Sequence, residues 1–148
     1  MIVKLATVIA LSSCAAFGCQ SSRSSDAAPA AAAAAPAPAI QQVTIAQVAG
    51  FVKDKNALIF DANGGDTRAE YGVIPGAVLL TSHDDYPLSE LPADKSEKLV
   101  FYCGGTACRA SDAAAARASS AGHTDVNILR DGITGWKRSG QPTDTPRS

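Results

Sequence analysis

The run Cys103-Gly104-Gly105-Thr106-Ala107-Cys108-Arg109-Ala110-Ser111 gathers two thiols, two glycines, an arginine and two hydroxyls into one short stretch. A cysteine acts as a nucleophile through its thiolate, so whatever stabilises negative charge beside it activates it. Glycines let a loop fold tightly enough for several backbone N–H groups to converge. A helix that starts directly after the loop adds positive potential, and Arg109 adds a fixed cation. These groups predict a pKa for Cys103 below the ~8.5 of a free thiol. They also predict an anion cradle made by Gly104, Gly105, Thr106, Ala107, Cys108 and Ser111. Cys103 and Arg109 are the expected catalytic pair. A side chain at Gly104 or Gly105 is expected to distort the loop or to fill the cradle. Cys108 has two readings: a small residue that packs in the loop, or a resolving thiol that pairs with Cys103.

Such a loop needs a scaffold, and the flanking sequence supplies one. Lys98-Leu-Val-Phe-Tyr-Cys103 is apolar on both faces, as a central strand is, and an alanine-rich helix over 112–121 follows it. Further strands are expected at Gln42–Ile45, Ala57–Phe60, Val78–Leu80 and Asp125–Leu129. Ile45, Val48, Phe51 and Val52 recur at helical spacing behind Thr44, a capping residue. Asp61-Ala-Asn-Gly-Gly65 reads as a turn, and a last helix runs over 133–139. Short strands that alternate with helices predict an α/β fold, a parallel sheet covered on both sides. In such sheets ligands sit beyond the carboxyl ends of the strands, where Cys103 emerges.

From Asp61 onward the chain resembles a rhodanese domain, the sulfurtransferase fold. The matching segments are Asp61 after an apolar strand, Arg68-Ala-Glu-Tyr-Gly-Val-Ile-Pro-Gly-Ala77, the Cys103 loop, Gly122 and Asp131-Gly-Ile-Thr-Gly-Trp136. The resemblance covers about residues 43–142. It implies a five-stranded parallel sheet flanked by helices. It also implies that Cys103 takes a sulfane sulfur as a persulfide, from a small sulfur-containing anion such as thiosulfate. The persulfide would pass that sulfur to cyanide or to a thiol, including a protein thiol. The chain departs from the family at Asn63, usually Arg, and at Val73, usually His. Its Arg109 lies one residue further from Cys103 than usual. Asp61 and Arg68 are expected to support the site, with Arg68 either replacing the missing arginine or solvated. The Cys-x5-Arg spacing also resembles rhodanese-fold phosphatases and arsenate reductases, so a thiol redox or oxyanion enzyme is the alternative. A non-catalytic module that binds an anion or a partner is a third reading.

The N-terminal part is expected to be an address rather than a fold. Residues 1–19 carry one lysine, an apolar stretch shorter than a membrane span, and then small residues ahead of a cysteine. This resembles a lipoprotein signal. Segment length favours lipidation at Cys19, with Cys14 the alternative. Residues 20–39, rich in Ala, Pro and Ser, predict an extended tether that reaches ~60 Å. The folded domain is expected over 40–148. The implied location is the periplasmic face of a bacterial envelope, membrane-held through the lipid, with the outer membrane favoured because the residue after Cys19 is not acidic.

Composition narrows the classes further. Lys plus Arg total 13 against 14 Asp plus Glu, a net charge of −1, which argues against nucleic-acid binding. His83 and His123 have no ligand spacing and read as surface residues, so neither a metal nor a cofactor is expected.

Overall fold

The computed structural model describes residues 39–146. Five parallel strands form one sheet: β1 (Gln41–Val43), β2 (Leu58–Asp61), β3 (Val78–Leu79), β4 (Lys98–Tyr102) and β5 (Asp125–Leu129). Their order across the sheet is β1-β5-β4-β2-β3, with β4 in the centre. The helices are α1 (Ile45–Asp54), α2 (Gly65–Tyr71), α3 (Ala110–Ser120) and α4 (Gly132–Arg138).

Each strand's alternation divides the core in two. On one face Phe60, Leu99, Phe101, Val126 and Ile128 pack beneath Ala114, Ala115 and Ala118 of α3. The alanines let α3 lie close over the Phe60 and Phe101 rings, which stack at 5.0 Å. On the other face Ile59, Val100, Tyr102 and Leu129 meet Val48 of α1 and Ile133 and Trp136 of α4. The sheet is therefore covered on both sides, and both faces of β4 are apolar for that reason.

Helix ends follow from local chemistry. Thr44 and Gln47 form a capping box at the start of α1. Gly122, at φ +92°, ends α3 after Ala121. The one helix that sequence reasoning missed is α2. It starts at Gly64 and Gly65, has no side-chain cap and buries none of its residues, so neither periodicity nor capping marks it.

The register aligns the strand ends that matter. Asp61 pairs with Tyr102, and Tyr102 with Leu129. The residues that follow, Ala62, Cys103 and Arg130, therefore leave neighbouring strands side by side at one edge.

Candidate active site

Cys103 continues the side of β4 that faces α3. It is 2% exposed. Its Sγ lies 3.4 Å from Ser111 Oγ and also accepts the Ser111 backbone N–H. Cys108 is half-buried, and its thiol is close enough to that of Cys103 for each to alter the other's acidity. A turn closed by the Cys108 N–H on the Gly105 carbonyl, at 2.9 Å, folds it back over the loop. Cys108 Sγ accepts the backbone N–H groups of Ala110 and Gly104. The first two amides of α3 thus point at the two sulfurs, as the unpaired donors of a helix start do. No disulfide joins the two cysteines here.

The charge distribution differs from the expectation. Burial pushes the Cys103 thiol up, and its hydrogen bond to Cys108 adds to this, against the Ser111 hydroxyl and amide, which lower it. Burial also opposes ionisation of Cys108. There the Cys103 hydrogen bond and the Ala110 and Gly104 amides prevail, and its pKa falls below the ordinary value. Of the two thiols Cys108 is therefore the stronger acid. Arg109, placed at the N-cap position of α3, is 77% exposed at its side chain and faces Asp112 at 3.6 Å. The expected Cys103–Arg109 pair is not assembled.

The cation nearest in the fold is Arg130, which sequence reasoning missed. It follows β5 directly, beside Cys103. Its guanidinium holds Asp112 with two bonds of 2.6 and 2.7 Å. That pair holds the Asp112 carboxyl below its usual range and ties the first turn of α3, Ser111 included, to the end of β5. The available signal was positional: a basic residue just after a predicted strand end, where parallel sheets place their sites.

Asp61 and Arg68 have a bracing role instead. Asp61 is fully buried and accepts Tyr102 Oη–H at 2.5 Å, the Asn63 N–H at 2.6 Å and Arg68 Nε–H at 3.3 Å. Arg68 also donates to the carbonyls of Asp61 and Leu80, at 3.0 and 2.9 Å. It is neither solvated nor directed at the thiols; it fastens α2 to β2 and to the end of β3. Asn63 is buried, and its Nδ2 has no partner. Its Oδ1 lies 3.8 Å from the point where a Gly104 side chain would begin, so the Asn63 amide borders the loop.

The two loop glycines are unequal. A Cβ on Gly104 would meet only ordinary contacts, against the expectation, whereas one on Gly105 would lie 2.7 Å from Thr134 Oγ1. The loop is anchored to the start of α4: Ile133 N–H donates to the Cys103 carbonyl at 2.8 Å, and Thr134 N–H to that of Gly104 at 3.0 Å. Thr106 and Ala107 form the exposed tip. An open cavity of about 330 Å³ lies between residues 104–108 and Thr134.

The profile of the rhodanese-like domain family matches residues 44–139, well over half of the chain. The chain belongs to the rhodanese-like domain family. Solved structures agree on the fold. A rhodanese-like domain from Anabaena sp. is 22% identical, with a TM-score of 0.56 over 73% of this chain and 81% of its own. A rhodanese-related protein from Thermoplasma volcanium is 20% identical, with a TM-score of 0.53 over 72% of this chain and 99% of its own. A protein from Rhodopseudomonas palustris, described as a possible tyrosine phosphatase, is 23% identical, with a TM-score of 0.59 over 71% and 85%. A comparison with curated proteins finds no match. As a rhodanese-like domain the chain carries the fold of sulfurtransferases and of related phosphatases. The lipoprotein segment, Cys14, Cys19 and most of the tether lie outside the described residues.

Proposed function

We propose that this rhodanese-like chain is a sulfurtransferase that carries a sulfane sulfur as a persulfide on Cys103. The observation that carries the reading is the position of Cys103: at the end of the central strand, under the first amides of α3, with Ser111 Oγ at 3.4 Å. Cys103 reacts as its thiolate, which the Ser111 hydroxyl and amide favour. Its sulfur then attacks the outer sulfur of thiosulfate, the bond between the two donor sulfurs breaks, and sulfite leaves with the electron pair. The persulfide's negative outer sulfur suits a cradle of backbone N–H groups, with the unpartnered Asn63 Nδ2 at its border. A thiolate or cyanide then attacks that outer sulfur and regenerates Cys103. In keeping with the N-terminal sequence, the proposal locates the domain at a bacterial envelope, held by a lipid on Cys19.

The Cys-x5-Arg spacing favours a second reading, an oxyanion enzyme of the phosphatase kind. Arg109, the residue that would wrap the oxyanion, is turned outward to Asp112, and this ranks the second reading below the first. One assay separates them. Thiosulfate with excess cyanide is expected to give thiocyanate, and Cys103→Ser is expected to lower turnover by at least about a thousandfold, as loss of an essential nucleophile does. Hydrolysis of an aryl phosphate without thiocyanate formation would establish the second reading instead.

A further inference from the structure

Cys108 has no task in simple sulfur transfer, yet the fold holds it against the loop that Cys103 opens. The turn from Gly105 to Cys108 folds it back over the loop that Cys103 opens, close enough for each thiol to alter the other's acidity. Its Cβ lies 4.0 Å from the point where a Gly104 side chain would begin, so it folds over the residue next to Cys103. The group it interacts with is the Cys103 thiol, whose Sγ becomes the inner sulfur of a persulfide. The Ala110 and Gly104 amides favour the Cys108 thiolate, the form a nucleophile needs.

We propose that Cys108 resolves the Cys103 persulfide into a Cys103–Cys108 disulfide and hydrosulfide, giving the chain a second activity as a sulfane-sulfur reductase that a dithiol recycles. The inference rests on the sulfur-transfer reading, because it needs the persulfide. In the step, the Cys108 sulfur forms a bond to Cys103 Sγ, and the bond from Sγ to the outer sulfur breaks. The outer sulfur leaves as hydrosulfide with the bonding pair and the proton of the Cys108 thiol. The outer sulfur is reduced by two electrons, and the two cysteines are oxidised by two. A dithiol restores them: one of its thiolates opens the disulfide, and its second thiol releases the mixed disulfide. The exposed tip Thr106-Ala107 and the open cavity beside Thr134 give that dithiol its approach.

The alternative geometry, attack on the outer sulfur, would move the persulfide onto Cys108 and release no sulfide. A single-turnover experiment distinguishes the two. The fully reduced full-length chain is mixed with one equivalent of thiosulfate, without cyanide or free thiol. Sulfite and sulfide are measured, and the tryptic peptide of residues 99–109 is weighed, since it holds both loop cysteines and excludes Cys14 and Cys19. The expected result is one sulfite and one sulfide per chain, with the peptide two hydrogens lighter. Cys108→Ser and Cys108→Ala are expected to release sulfite but at least tenfold less sulfide, and to retain the extra sulfur on Cys103. Sulfite without sulfide from the unaltered chain, or sulfide release unchanged in both variants, overturns the inference and leaves sulfur transfer standing. Absence of sulfite overturns the sulfur-transfer reading as well.

Discussion

At the scale of residues, the site is decided by which cation belongs to which partner. Arg109 and Arg130 both reach Asp112, but unequally. Arg109 makes one long, exposed contact at 3.6 Å, whereas Arg130 makes two short ones from a half-buried position. An exposed pair is worth about 0–1 kcal/mol, and a charge-assisted bidentate pair more. Arg109→Ala is therefore expected to change the single-turnover rate of sulfite release from thiosulfate by less than about fivefold. Arg130→Met frees the first turn of α3, and with it Ser111, and is expected to slow that release by about tenfold or more, some 1.4 kcal/mol. Stopped-flow measurement of sulfite would rank the two; a larger effect at Arg109 would restore the pairing read from the sequence. That pairing was legible as chemistry but not as geometry. A one-residue shift at a helix start turns a side chain by about 100°, and nothing in the residue types fixes where the first turn of α3 begins. Residue types also could not show that Cys103 is buried behind Cys108, which reverses the expected order of their acidities.

At the scale of elements, the loop depends on its fastening to α4. Gly132 is at φ +60°, and a Cβ there would lie 2.3 Å from the Cys103 carbonyl oxygen and 2.6 Å from the Gly105 nitrogen. Gly132→Ala is therefore expected to cost about 1–3 kcal/mol from the backbone alone. It should also displace the loop, so that sulfite release falls further than Gly104→Ala lowers it. Chemical denaturation and the same single-turnover assay check both; a Gly132→Ala chain as stable and as fast as the parent would show that α4 does not hold the loop. The strands and three helices were readable because each carries a strong local signal: the two-faced apolar run of β4, Thr44 before Ile45, Gly122 after the alanine helix. The motif Asp131-Gly-Ile-Thr-Gly-Trp136 was visible as well, although the reason for Gly132, close approach to Cys103, appears only in three dimensions. α2 escaped because its only large contact is Tyr71 against the core beneath α1 and α4, and its start looks like a loop.

At the scale of the whole molecule, the sheet order puts every group of the site on one edge, and the opposite end of the sheet carries a separate stability feature. His123, expected at the surface, is fully buried just before β5. Its Nε2 accepts from Lys95 Nζ at 3.0 Å, and its Nδ1 has no partner. Burial, then the Lys95 charge, hold its pKa below 6.5. A neutral histidine of this kind contributes stability that is full above the unfolded value of 6.5 and is lost as pH falls from there through the lower folded value. The urea midpoint is thus expected to drop between pH 7.5 and pH 5, and His123→Gln to flatten that drop. An unchanged slope in the variant would assign the pH dependence to other groups. His123 could not be placed from sequence, because the turn around Gly122 and Thr124 reads as exposed. That both sheet faces are covered could be, because β4 has no polar position from Leu99 to Phe101. Sulfur transfer here turns on one atom, the sulfur of Cys103, and the Cys108→Ser chain, in which a persulfide has no internal thiol to resolve it, isolates that atom most directly. After thiosulfate, the peptide of residues 99–109 is predicted to gain one sulfur atom on Cys103, to lose it as thiocyanate on adding cyanide, and to gain none in Cys103→Ser. A chain that gains no sulfur, or that gains it in Cys103→Ser, would contradict the assignment.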